Sequence, residues 1–237
     1  MPLNDVTEDA TERLLGPLHS EVLRSVVDRG CAPERRTLRS RLRCSAEELD
    51  RAFDRLVEIH GVVPHPGTRD VWVIHPFSLA PTPFVVDAGP RRWWGPCAWC
   101  SLGIAALVDE PCVITSTLGA GTEQVRLEIA EGRVDQGDLV VHFPIPMVKA
   151  WDNVIFTCST MLLFRDRAEV AAWADRHHLP VGDIQPVAKV FEMAKVWYGQ
   201  HLSPTWKKIS IPEARAVFER LGFTHPIWHL PSEGSEF

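Results

Sequence analysis

Two thiols three residues apart, Cys97 and Cys100, follow directly on Gly95-Pro96 and open the apolar run AWCSLGIAALV. The spacing predicts a helix over roughly 96–108, with Pro96 at the first position, where a missing N–H costs nothing. Cys97 and Cys100 then occupy the first turn and share one face. Unpaired N–H groups and the helix dipole favour negative charge there, so a thiolate forms more readily than in a free cysteine. Such a pair suits a reactive thiol or a soft metal held by sulfur. A third thiol, Cys158, lies in NVIFTCSTMLLF (153–164), which reads as a strand. Alternation places Val154, Phe156, Cys158, Thr160 and Leu162 on one face. Taken alone, a cysteine among such neighbours is inert packing.

The frame that must position these thiols is a chain of 237 residues, 45% hydrophobic with nine tryptophans, enough for one large domain or two modest ones. The longest strongly apolar stretch, Leu102 to Val108, is far too short to span a membrane. The acidic, polar N-terminus is unlike a secretory signal, so a cytoplasmic location is expected. A net charge of −6 argues against a general nucleic-acid binder. Six cysteines in such a protein point to metal binding, catalysis or burial rather than disulfides. With only one C-x-x-C, no second pair completes a structural zinc site. The pairs His60/His65 and His225/His229 stand in the wrong order for a finger.

Residues 9–30 read as a helix broken near Gly16-Pro17, and a short basic helix follows at roughly 33–43. Ser45 and Glu48 form a capping box that opens a third helix, with Gly61 as its stop. A turn at His65-Pro66-Gly67 and a strand at 71–74 complete the plan of a winged helix. Five arginines (Arg35, Arg36, Arg39, Arg41, Arg43) crowd the second helix. The helix that would enter a major groove, however, begins with Glu47, Glu48 and Asp50, which favours a structural or docking role over DNA contact.

A proline-rich linker over 76–92 holds one short strand at 84–87, and the domain boundary is placed near 80: 1–80 winged-helix-like, 81–237 the core with a C-terminal helical extension. Strands are predicted at 113–117, 124–129, 139–143 and 154–164. Turn signals stand at 119–121, Glu131-Gly132 and Gln136-Gly137. Helices are predicted from Asp166 to about His177, near 186–199, and from Ser210 to Leu221. Short strands joined by tight turns favour an antiparallel sheet, hence an α+β fold.

Taken together, the two cysteine stretches resemble the organomercurial (alkylmercury) lyases. In that family a Cys-Ala-x-Asp motif opens a helix. A second cysteine lies on a strand about 60 residues later, followed by hydrophobic residues and a helix with Ala-x-x-Trp-Ala. Cys97-Ala98-Trp99-Cys100 matches the first motif; Cys158, Leu163-Phe164 and Ala171-Ala172-Trp173-Ala174 match the second. A helical, winged-helix-like region before the core also belongs to the family's plan. The resemblance covers roughly 15–195, and 196–237 looks like an extension. It implies carbon–mercury cleavage by protonolysis, with Cys97 taking up the organomercury cation and Cys158 completing a dithiolate. It also implies that no resident cofactor is needed, that Hg(II) remains as bound product, and that low-molecular-weight cellular thiols remove it. One residue departs from the pattern: Cys100 stands where the family has the aspartate that handles the proton. A thiol, with a reference pKa of about 8.5, is protonated near neutrality and is a chemically permissible substitute.

The same departure feeds other readings. Three converging thiols (Cys97, Cys100, Cys158) can hold Cu(I), Zn(II) or Hg(II) without turnover. A redox C-x-x-C is a rival, against which stands the missing alternation of strands and helices. A winged-helix DNA binder would show salt-dependent duplex binding. Cys31, Cys44 and Cys112 read as packing. Trp93, Trp94 and Trp99 are placed to wall a pocket for an alkyl or aryl group, or to serve the core. His142 and His201 are possible ligands, and Asp87 a possible replacement carboxylate.

Overall fold

In the computed structural model, residues 3–135 and 138–231 are described; the turn signal at Gln136-Gly137 lies outside them. The chain begins with α1 (Leu3–Arg29), α2 (Arg35–Leu42) and α3 (Ala46–Glu58). Ser45 and Glu48 cap α3 reciprocally, as the sequence predicts. The break predicted at Gly16-Pro17 does not occur, and α1 runs through it. Buried Leu15, Leu18, Val22 and Leu23 on either side hold its two halves in line against the core. Gly16 lets a later segment approach; a Cβ there would lie 2.5 Å from the Pro204 carbonyl oxygen. Of the α2 arginines, Arg35 pairs with Asp50 and Arg41 with Glu21, surface contacts worth little stability individually.

Strands β1 (Val63–Pro64), β2 (Val71–Ile74), β3 (Phe77–Ser78), β4 (Phe84–Ala88) and β5 (Arg91–Gly95) lead into α4 (Ala98–Val108). After it come β6 (Cys112–Thr117), β7 (Gln124–Ala130), β8 (Arg133–Val134) and β9 (Val140–Phe143). Helix α5 (Val154–Thr160), β10 (Leu163–Phe164), α6 (Arg167–His177), β11 (Asp183–Pro186), α7 (Val187–Tyr198) and α8 (Ile211–Arg220) complete the order. Eight strands form one sheet, β1-β2-β3-β5-β4-β6-β7-β8, and three form a second, β10-β9-β11. Every pairing between these strands is antiparallel. The fold is α+β. No helix among the described residues is long and apolar enough to cross a membrane.

Helix α4 is the centre of the core. It is apolar on all sides, and nearly every residue from Ala98 to Leu107 is buried, as expected of a helix enclosed by protein rather than lying on a surface. One face meets the sheet and another meets α7. Gly103 permits the second approach: a Cβ there would lie 2.4 Å from Tyr198 Cδ2 and 3.0 Å from Pro76 Cβ.

The strand expected over 154–164 is instead α5 followed by the two-residue β10. Asn153 caps the helix, its side chain accepting from the Phe156 N–H at 3.0 Å. Thr157 Oγ1 donates to the Ala150 carbonyl and Thr160 Oγ1 to that of Thr157. These local bonds satisfy hydroxyls that would otherwise count against a helix. Thr157, Cys158 and Thr160 are buried while Phe156 is 44% exposed, which is not the pattern of a strand. The segment is apolar on both candidate faces, so its period alone could not decide between strand and helix.

A Gly103→Ala substitution should drive α4 and α7 apart and destabilise the fold by about 1–3 kcal/mol, the usual cost of overpacking. Urea unfolding followed by tryptophan fluorescence will check this; an unchanged midpoint would show that the helix contact is looser than the distances imply.

Candidate functional site

The elbow from β5 into α4 sets the first two thiols. Gly95 lies so close to the helix that a Cβ would fall 2.2 Å from Ser101 Oγ. Pro96 is not the first helical residue; Cys97 is the N-cap, with φ −157° and ψ 177°. Its Sγ accepts from the Cys100 N–H at 3.2 Å, and its carbonyl accepts from the Ser101 N–H at 2.9 Å and from the Ser101 hydroxyl at 2.7 Å. The helix start is tied to the third thiol through the backbone: Ala98 N–H donates to the Met161 carbonyl at 3.0 Å. Met161 N–H in turn donates to the Cys158 carbonyl at 3.1 Å. Cys158 therefore sits at the end of α5, against the start of α4.

All three thiols are buried, at 0% exposure for Cys97, 2% for Cys100 and 6% for Cys158. Cys100 Sγ lies 3.4 Å from His75 Nδ1 and 3.6 Å from the Tyr198 hydroxyl. Burial opposes ionisation of Cys97, but hydrogen bonds from the Cys100 and Cys158 thiols and the Cys100 and Trp99 N–H groups outweigh it. Its pKa falls well below the ordinary thiol value. Burial, then the neighbouring Cys97 thiolate, pushes Cys100 up. Cys158 is raised by its hydrogen bonds to Cys100 and Cys97 and by burial. Of the three, Cys97 gives up its proton most readily.

The thiols form the floor of a cavity of about 350 Å³. Trp99, Trp151, Trp197, Trp206, Met147 and Met161 make apolar walls. His19 from α1, His60 from the end of α3, and His75, His201 and Lys208 also line it. His19 stacks on Trp206 at 3.7 Å between ring centroids, His60 stacks on Trp151 at 4.6 Å, and Lys208 Nζ lies 4.0 Å above the Trp151 ring. Burial and then the Lys208 ammonium lower His75 and His201 to about 3. His19 is also well below its ordinary value, by burial and then by His201. The histidine belt is uncharged at neutral pH.

Of the residues singled out from the sequence, Cys97, Cys100 and Cys158 converge, with Trp99 and His201 in the same cavity. Trp93 does not wall it; its indole N–H donates to the Val26 carbonyl at 3.0 Å and joins α1 to the sheet. Asp87 is bound to Arg92 at 2.6 Å on the sheet and supplies no carboxylate to the cavity. His142 Nε2 is bonded locally to the Val181 carbonyl at 2.9 Å. Cys31 is exposed rather than packed, whereas Cys112 is buried. Sequence reasoning missed His75, Tyr198 and Lys208. For the last two a signal existed in the dense run of aromatic and basic residues in VWYGQHLSPTWKK.

The buried histidines couple stability to acid. Their folded pKa values lie below the unfolded value of about 6.5, so below that pH the unfolded chain binds protons that the folded chain refuses. Stability should be complete above about pH 6.5 and decline as pH falls toward about 3, the value for His75 and His201. Urea midpoints measured from pH 7.5 to 4.5 should drop, with a shallower slope in His201→Gln; a flat profile would contradict the burial of these rings.

The geometry has counterparts among known proteins. A family model described as MerB: Alkylmercury lyase matches residues 77–199, a stretch that contains all three clustered thiols. A solved structure, the mercury-bound form of MerB2, superposes with a TM-score of 0.64 at 17% sequence identity, covering 83% of this chain and 98% of that one. No curated protein matches the sequence. The family match extends over more than half of the chain, and the fold agrees over 83% of it: this protein belongs to the alkylmercury lyase family.

Proposed function

We propose that the chain cleaves carbon–mercury bonds at Cys97 and Cys158, releasing hydrocarbon and leaving Hg(II) on sulfur. The observation that carries this reading is the convergence of three buried thiols on one cavity, with Cys97 shifted toward the thiolate and Cys100 and Cys158 away from it. Soft sulfur selects a soft metal, and a similar fold has been solved with mercury bound.

In this reading the Cys97 thiolate attacks mercury and displaces its exchangeable ligand, giving an S–Hg–C unit. Coordination by Cys158 Sγ releases the proton of that thiol and loads the metal with electron density. The Hg–C bond breaks with its electron pair on carbon, the proton joins that carbon, and Hg(II) remains as a dithiolate. Two low-molecular-weight thiols then exchange for the cysteines and restore the starting state. Cys100 acts where the family has an aspartate. Its raised pKa keeps a proton beside the reacting bond at neutral pH, a state that an ordinary aspartate, with a pKa of about 3.9, would not hold. The tryptophan walls suit an alkyl or aryl group.

The Cys100 departure also supports a second reading, in which the thiols capture a soft metal without turnover. Benzene release from phenylmercury by the reduced protein with excess thiol separates the two. Multiple turnovers are expected, falling at least about 100-fold in Cys97→Ser and in Cys158→Ala, the scale on which loss of a proton-transfer group acts. Retained turnover in Cys158→Ala would remove the dithiolate mechanism; stoichiometric mercury capture without benzene would establish the second reading.

Cys100→Asp places the family's residue in this pocket. Turnover within about tenfold of wild type is expected if position 100 serves as a proton site. Single-turnover benzene release will check this, and complete loss would show that the thiol acts in another way.

A further inference from the structure

His75 is absent from every role so far assigned, yet it touches the cluster. It lies between β2 and β3, outside the stretch matched by the family model. The donor atoms of His75, Cys100 and Cys158 all fall within 4.8 Å of one another, and they are the one such set of three among the described residues. Cys97 is not in that set. Its sulfur is held instead at the helix N-cap by the Cys100 N–H.

We propose that His75, Cys100 and Cys158 form a nitrogen–sulfur–sulfur site for a zinc-class divalent ion, overlapping the mercury-binding thiols but distinct from them. Zn–S bonds of about 2.3 Å and Zn–N bonds of about 2.0–2.1 Å at tetrahedral angles put neighbouring nitrogen and sulfur ligands about 3.6 Å apart. The separation of His75 Nδ1 and Cys100 Sγ is 3.4 Å. An ion there takes the place of the thiol–imidazole contact with little movement of either side chain, and the protons of the Cys100 and Cys158 thiols leave to solvent as the two thiolates form. Two thiolates and one neutral imidazole match the borderline-soft preference of zinc. Three protein ligands leave the fourth position free, the arrangement of a catalytic rather than a structural zinc site. That position is available to water or to a small ligand entering the cavity, which His75, Cys100 and Cys158 all line.

This inference does not depend on carbon–mercury chemistry, because it is tested with no mercurial present. Zn(II) and, as a spectroscopic probe, Co(II) are titrated into the reduced full-length protein. One equivalent of Co(II) should give the intense visible bands of a tetrahedral site together with sulfur-to-cobalt charge transfer. X-ray absorption at the zinc edge of the wild type should resolve two sulfur and one imidazole donor, a readout that requires no variant. His75→Ala should weaken Zn(II) binding by more than about tenfold, since even loss of an outer-shell partner costs that much. Cys31→Ser, at an exposed cysteine outside the cavity, should bind within about threefold of wild type, having lost no ligand. Absence of saturable binding, a three-sulfur shell without imidazole, or a His75→Ala variant that binds like wild type would each overturn the assignment.

Discussion

The burial of Cys97 among hydrogen-bond donors, which holds its pKa well below the ordinary thiol value, is the constraint on which the site depends. An isolated ion taken out of water is far too costly to persist in a protein interior. Here two thiols and two backbone N–H groups donate toward one sulfur. The same arrangement explains why the neighbours keep their protons, since a second thiolate beside the first would face burial and like charge together. The elbow after β5, the all-buried α4 and the tie from Ala98 to Met161 serve to keep these donors in place.

Chemistry and enclosure come from different parts of the chain. The thiols lie within the stretch shared with the family. Much of the wall does not: His19 and His60 come from the N-terminal helices, His75 from the strand turn before that stretch, and His201, Trp206 and Lys208 from the segment after it. Two indole nitrogens and two imidazole nitrogens of the wall, on Trp99, Trp151, His19 and His75, are buried without a hydrogen-bond partner. Leaving such groups unpaired costs stability, and in enzymes that kind of cost is concentrated at functional sites. The N-terminal helices are thus part of the cavity as well as of the core.

The family resemblance implies an aspartate where this chain has Cys100, and the two differ in chemistry. A carboxylate in this position would have to be desolvated beside the Cys97 thiolate, whereas a protonated thiol carries no charge and is a soft donor as well. The imidazole of His75 and the hydroxyl of Tyr198 lie 3.4 and 3.6 Å from its sulfur. Under the proposed function, position 100 is the point at which proton handling and metal preference meet.

Much of this was legible in the sequence. The C-x-x-C at a helix start, the capping boxes at Ser45 and Ser210, the Asp166 cap and the strands β4, β6, β7 and β9 are local signals, fixed by side chains acting on backbone within a few residues, and the structure agrees with them, whereas β5 falls at the end of a stretch that reads as linker and into the motif. The family resemblance rested on the order and spacing of such signals. The structure decided what local pattern cannot. Residues 154–160 are helical because Asn153 and two threonine hydroxyls complete its hydrogen bonds, while the apolar period fitted a strand equally well. Pro17 is carried inside α1 because buried leucines and valines outweigh a local break. His75 reaches Cys100 across 25 positions and Tyr198 across 98, through packing of whole elements that leaves no periodic trace. Composition and spacing determined which thiols could act; only the tertiary fold decided what surrounds them, because burial and long-range contact set their protonation and their partners.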